Sequence, residues 1–338
     1  MKNKIISLFV VVVIGFGGFY GFKKYDKFRL DVPVSSFNHV DVEYSNHNER
    51  RLYKNRNKYD PAFGEKCLIP SSDFKIDVVV PLVEKDIETA ILTIKSVKDL
   101  VSHEIGNIYI VAPNSEVIKN FAKSNDCIWV DEKKVIPFDK LKKYGGWVIQ
   151  QFLKLSADKF VKNEHFLVID ADTFFLRPVV FMTKGKKNED MYLINVHWDT
   201  CPKRKKFSAH IFGNKKVLRY DFVPHNMFFS KKILSSMKKF IEKKYDKNWT
   251  DALLYEMENY PNGPNAFSEY DIYMTYFTKI YKGNESKRFI SNANITVPRN
   301  RIGGIQSIIT AFAPYYKSIS MHAKTSFGCV ETFNRKDF

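Results

Sequence analysis

Two carboxylates, Asp170 and Asp172, sit two residues apart in the run FLVIDADTFFLRP, Phe166 to Pro178. The pair follows an apolar stretch and precedes another. Carboxylates at i and i+2 just past a strand end can face one cation, one directly and one through water. Hard divalent ions take such oxygen ligands and leave places free for substrate phosphates. Acidic pairs after strands also serve simply to solvate a turn, so the surroundings decide what this one means.

Those surroundings are an alternation of strands and helices. Ile76 to Val80 (IDVVV) is a nearly continuous β-branched run ended by Pro81, as expected of a strand covered on both faces. Asp86 is placed to N-cap a helix whose stripe is Ile87, Ala90, Ile91, Ile94, Val97 and Val101. A strand at Ile108 to Pro113, a helix at Ser115 to Ala122, and a strand at Cys127 to Val130 follow. A longer helix from about Gly146 to Val161 then leads to the strand Phe166 to Asp170. This order predicts βαβ units, hence an α/β domain with a mostly parallel sheet flanked by helices. Ligands of such sheets bind beyond the carboxyl ends of the strands. That rule selects Pro81 to Asp86 and Asp170 to Thr173.

Other segments offer polar groups. In YGGWVIQQFLKL, Gly145 and Gly146 interrupt the chain ahead of a helix, so backbone can approach a ligand there. Gln150, Gln151 and Lys154 are neighbours across a turn and present amides and an ammonium to hydroxyls or phosphate, unless they are solvated. Trp147, Val148, Phe152 and Leu155 are expected to form the core stripe. His225 and Asn226 lie in VPHNMFFSKKIL and offer an imidazole and an amide to a polar ligand, though a lone histidine is also commonly structural. Glu269 and Asp271 follow the Pro- and Gly-rich stretch Tyr260 to Asn265, close to a helix start at Ser268, where acids also serve as ordinary caps.

The chain has 338 residues, 44% apolar and 27% charged, with Lys and Arg exceeding Asp and Glu 54 to 37 for a net charge of +17. Such a composition excludes global disorder, a multi-span transporter and a small disulfide scaffold. The basic surplus favours anionic partners, but no RNA-recognition pattern or zinc-finger spacing accompanies it, so nucleic acid is not expected. Ile5 to Phe22 is almost unbroken apolar chain between flanking lysines, long enough to cross a hydrocarbon core. Without a small-x-small cleavage site it predicts an uncleaved transmembrane anchor. The expected organisation is a short tail at 1–4, an anchor at 5–22, a polar stem at 23–74 and a catalytic domain at 75–338.

The order of strand-Pro, alternating units and apolar strand-DxD resembles the GT-A fold of nucleotide-sugar-dependent glycosyltransferases. The stretches VVVPLVEKD, GGWVIQQFLKL, DADTFFLRP and FSEYDIY look more narrowly like a group of GT-A-like proteins carrying a DxD motif. The resemblance implies a membrane-anchored glycosyltransferase that moves a sugar from a nucleotide-diphosphate donor to a glycan or other hydroxyl acceptor. It implies Mn²⁺ or Mg²⁺ on Asp170 and Asp172, with His322 in SMHAKTSFG as a late ligand. It assigns Pro81, Asp86, Gly146, Gln151, Lys154 and Ala171 to the donor, and His225 and Asn226 to the acceptor. Glu269, with Asp271 as the alternative, would be the base that takes the acceptor's proton. The implied location is a membrane: the inner one in a bacterium, or a Golgi-type lumen in a eukaryote. A haloacid-dehalogenase phosphatase would need a threonine where Phe174 stands. A nucleotidyltransferase would need glycines that PLVEKD lacks. A non-catalytic glycan-binding protein of the same fold remains the alternative from another class.

Overall fold

The computed structural model describes residues 72–185, 187–196, 201–214, 217–218, 222–283, 285–289, 292–296 and 317–322, all within one unit, Ser45–Phe338. The apolar run 5–22 and the expected stem up to residue 71 lie outside these. Among the described residues no helix is long and apolar enough to cross a membrane.

The first strand, β1 (Ser72–Pro81), begins three residues ahead of the expected domain boundary. It is buried from Ile76 onward because strands pair with it on both sides. Asp77 lies within this apolar run and is fully buried. Its carboxylate accepts from the backbone N–H of Asn107 (2.8 Å), Lys162 (2.6 Å) and Asn163 (2.8 Å), so its burial leaves no charge unsolvated.

β1 is the middle strand of a five-stranded sheet that also holds β2 (His103–Ala112), β3 (Ile128–Asp131), β4 (His165–Ile169) and β8 (Asn226–Ser230). The order is β3-β2-β1-β4-β8, parallel except for β8, which runs antiparallel to β4. The expected mostly parallel α/β sheet is therefore present. Chain order runs outward from β1 to β3 and then restarts on the other side at β4. That reversal falls between β1 and β4, and the ends of strands at such a point are where sheets of this kind bind ligands.

Helix α1 (Ile87–Leu100) buries Ala90, Thr93, Ile94 and Val97, whereas Ile91, expected in the stripe, faces solvent. Asp86 precedes it without a side-chain capping bond. Helix α2 (Glu116–Ser124) is capped by Ser115, which accepts from the Ile118 N–H. Helix α3 (Gly146–Leu155) stops well short of Val161, because a 3₁₀ turn at Ala157–Lys159 takes over.

The second half adds two small sheets that periodicity did not foresee. β5 (Thr173–Phe175) pairs antiparallel with β11 (Ser318–His322), which pairs parallel with β10 (Asn292–Thr296). The other joins β6 (Met182–Lys184), β7 (Asp190–Val196) and β9 (Glu285–Phe289). Helices α4 (Pro202–Ile211), α5 (Lys231–Tyr245), α6 (Trp249–Asn259) and α7 (Glu269–Thr275) complete the described part. The expected loop Tyr260 to Asn265 contains a short helix, Gly263–Ala266.

Candidate active site

The Asp170–Asp172 turn emerges where β4 ends, at the strand-order reversal. Four bonds to the main chain fix it. The Asp170 N–H donates to the His225 carbonyl at 3.0 Å, and the Thr173 N–H closes the turn onto the Asp170 carbonyl at 3.0 Å. The Met321 N–H, on β11, donates to the Asp172 carbonyl at 2.7 Å. The Thr93 hydroxyl, on α1, donates to the Ala171 carbonyl at 3.0 Å. A turn tied to β8, β11 and α1 holds its carboxylates in a preset place.

The Asp170 side chain points into a buried charge cluster. Lys154 Nζ lies 2.6 Å from Asp170 Oδ1 and 2.8 Å from Glu269 Oε1, with only 3% of its side chain exposed. The same ammonium stands 4.6 Å from the centre of the Tyr270 ring. His225 Nδ1 is 3.3 Å from the other Asp170 oxygen. Burial alone would pull the Lys154 ammonium down, but the facing Asp170 and Glu269 carboxylates hold it well above the usual lysine range. Burial likewise would raise Asp170; Lys154, followed by His225, outweighs it and holds the carboxyl well below its usual range. Two carboxylates share one ammonium, so the Lys154, Asp170 and Glu269 side chains together carry a negative surplus.

Of the residues expected to bind ligand, several instead build this cluster. Gln151 is buried rather than solvated; its Oε1 accepts from the Glu269 N–H at 3.1 Å and its Nε2 donates to the Trp147 carbonyl at 3.4 Å. Glu269 and Asp271 are both buried on α7, and the cap there is Ser268, whose hydroxyl accepts from the Asp271 N–H. The ordinary-cap reading of the two acids is thus replaced by Ser268. Asn226 is buried, its Oδ1 accepting from Asn195 and its Nδ2 donating to the Pro224 carbonyl, both at 2.9 Å. These bonds hold the Asn226 amide in place, next to His225 in the sequence. His225 is half-buried at φ +60°, a strained value for a non-glycine residue, and it faces Asp170.

Pro81 ends β1, buried, and Ala171 is buried between the two aspartates. Gly145, at φ +84°, occupies a conformation that glycine adopts without steric cost, and added Cβ atoms at Gly145 and Gly146 would meet nothing within 4 Å. Trp147, expected in the core, is 43% exposed; it stands in the first turn of α3, while Gln151 and Lys154 on the same face further along are buried. Residues not anticipated are Thr93, Tyr270 and Arg204, whose guanidinium lies 5.7 Å from the centre of the Trp147 ring. Thr93 was legible as a polar member of an apolar stripe; Arg204 gave no signal.

A divalent cation fits the chemistry of this donor set. Asp170 and Asp172 are hard oxygen ligands on one fixed turn, and the Lys154 ammonium facing Asp170 is itself balanced by Glu269. His322 ends β11, one residue beyond the Met321 N–H that bonds the Asp172 carbonyl, and it enters by backbone register alone. Among the described residues no group of three or more His, Cys, Asp or Glu side chains is gathered for a metal.

No protein of curated function matches the chain in sequence. Superposition on the mouse xyloside xylosyltransferase 1, apo form, gives a TM-score of 0.41 at 10% identity, over 73% of this chain and 98% of that one. The galactosyltransferase LgtC in complex with donor and acceptor sugar analogues gives 0.38 at 11%, over 73% and 87%. Glucosyl-3-phosphoglycerate synthase from Mycobacterium tuberculosis, with Mn²⁺, uridine diphosphate and phosphoglyceric acid, gives 0.33 at 11%, over 64% and 68%. At these scores the likenesses carry no argument. Residues 73–307, which include β1, the Asp170–Asp172 turn, Lys154 and Glu269, match the model of a family of unknown function, DUF6492, and the chain belongs to that family.

Proposed function

We propose that this protein transfers a glycosyl group from a nucleotide-diphosphate sugar to a hydroxyl of a glycan or glycoconjugate. The observation that carries the reading is the position of Asp170-Ala171-Asp172: just past β4, at the strand-order reversal, pinned by four bonds to the main chain and backed by a buried ion-pair cluster. The resemblance of the same stretch to the DxD segment of GT-A glycosyltransferases supports it.

In this reading Asp170, Asp172 and His322 hold Mg²⁺ or Mn²⁺. When bound, the ion supplies charge neutralisation for the departing nucleoside diphosphate. The chain's own residues do the positioning. Lys154 fixes the Asp170 carboxylate from behind, Glu269 in turn fixes Lys154, and Gln151 holds the Glu269 main chain. With its carboxylate on Lys154, its N–H on Gln151 and its side chain 5% exposed, Glu269 is not placed to reach an acceptor hydroxyl, so we assign it to positioning. Pro81, Asp86 and Gly146 serve as donor contacts, and His225 stands on the acceptor side of Asp170. The apolar run Ile5 to Phe22 serves as a single-pass anchor at a membrane.

The test is release of nucleoside diphosphate from a panel of nucleotide-diphosphate sugars, with Mn²⁺, with Mg²⁺ and with EDTA. Release from at least one sugar that EDTA abolishes is the expected result. No release from any sugar with either metal overturns the reading.

A further inference from the structure

Trp147, Gln151 and Lys154 stand at i, i+4 and i+7 on α3, which puts them on one face of the helix. One end of this stripe is the buried Lys154, bound to Asp170 and Glu269. The other end, about 10.5 Å away at 1.5 Å rise per residue, is an exposed indole. Between them Gln151 donates to the Trp147 carbonyl and accepts from the Glu269 N–H. Trp147 is 43% exposed, next to the Gly145-Gly146 backbone.

The Trp147 ring is not loose. Arg204, from α4, lays its guanidinium 5.7 Å from the ring centre, a cation–π contact that fixes the indole's orientation while leaving part of its surface exposed. Arg204 Nε is itself buried and has no hydrogen-bond partner among the described residues. Ahead of Trp147, the Gly145-Gly146 backbone lies in open space, so nothing of the protein crowds that approach.

We propose that Trp147 and Arg204 form a subsite for an acidic sugar unit of the acceptor, a short distance from the reacting centre. A pyranose presents a face of C–H groups that matches the negative face of an indole. The guanidinium beside it matches the planar, two-oxygen geometry of a uronic carboxylate or a sugar phosphate. The chain's net charge of +17 suits an anionic acceptor as well. This inference rests on the glycosyl-transfer reading for its choice of acceptor, and its test is made without donor or turnover.

The probe is an immobilised array of neutral, uronic-acid-bearing and phosphate-bearing oligosaccharides, read with the full chain in detergent. Wild-type protein is expected to be retained on acidic glycans. Trp147→Ala should weaken that retention at least about tenfold, the loss usual for truncating an aromatic anchor. Arg204→Gln should weaken retention on acidic glycans well beyond any loss on neutral ones. Both variants should keep the wild-type thermal midpoint, since neither residue fills the core. Retention by Trp147→Ala equal to wild type, loss in Arg204→Gln that ignores glycan charge, or no wild-type retention on acidic glycans overturns the subsite. Retention that depends on Trp147 in a protein releasing no nucleoside diphosphate overturns the transferase reading and leaves the subsite standing.

Discussion

Lys154 Nζ lies 2.6 Å from Asp170 Oδ1 and 2.8 Å from Glu269 Oε1, and this single ammonium joins the end of α3 to the tip of β4 and the start of α7. Three elements far apart in sequence converge on it. An ion buried this deeply is stable only while its partners are present, since the desolvation it suffers is otherwise unrepaid.

Lys154→Met follows directly. The substitution keeps much of the aliphatic bulk but strands the Asp170 and Glu269 carboxylates against apolar surroundings. Breaking a buried pair by removing one partner costs about 3–5 kcal/mol. Urea unfolding should show a loss of that size with an unchanged slope. A loss under about 1 kcal/mol would mean that water already reaches the cluster and that Lys154 fixes nothing.

Asp170 carries a pH signature. Lys154 and His225 hold its carboxyl below the usual range despite burial, so the folded state binds its proton more weakly than the unfolded one does. Such a group contributes stability that is fully present above the unfolded pKa, about 3.9, and is lost as pH falls further toward the folded value. Metal-free wild type should therefore lose urea stability below about pH 4 more steeply than Asp170→Asn, which has no such proton to take up. Parallel acid limbs for the two proteins would contradict the placement of Asp170 against Lys154.

How far the sequence carries depends on the range of the interaction. The sheet was legible because β1 and β4 are short apolar runs buried on both faces, and the aspartate pair was legible because it ends one of them. Ser268 and Glu269 were located at a helix start for the same local reason. What Glu269 does was not legible, because its partner Lys154 lies 115 residues away and no periodicity links them. Helical spacing assigned Trp147, Val148, Phe152 and Leu155 to the core, and the last three are buried, whereas Trp147 in the first turn of α3 is exposed. Spacing tells which residues share a face, not how far along the helix the core reaches. Arg204 lies on a helix with no apolar pattern of its own to orient it.

Asp172→Asn separates metal binding from folding. Asp172 is half-buried, and its main-chain bond to Met321 survives the substitution. The isosteric amide should leave the thermal midpoint within about 2 °C, in the range of substitutions outside the core. It should lower metal-dependent release of nucleoside diphosphate by at least about 10²-fold, as expected when a ligand to the ion that neutralises the leaving group is lost. Wild-type release by this variant would remove the metal from the aspartate pair.

Glu269→Gln distinguishes positioning from proton transfer. The amide preserves the shape of the side chain and the N–H bond to Gln151, but it removes one of the two charges facing Lys154. The ammonium then leans on Asp170 alone, so the geometry of Asp170 slackens rather than collapses. We expect release of nucleoside diphosphate to fall about tenfold, in line with the 10–100-fold losses from mutating the outer partners that orient metal ligands. A lower thermal midpoint should accompany it, and transfer to an acceptor should fall in proportion. A general base behaves differently: its loss lowers transfer about 10²–10⁴-fold while donor binding and release to water persist. Measuring both activities on one preparation, together with the midpoint, tells the two apart. Transfer that collapses while hydrolysis and stability hold would return Glu269 to the role of base and would require its carboxylate to leave Lys154 once the acceptor binds.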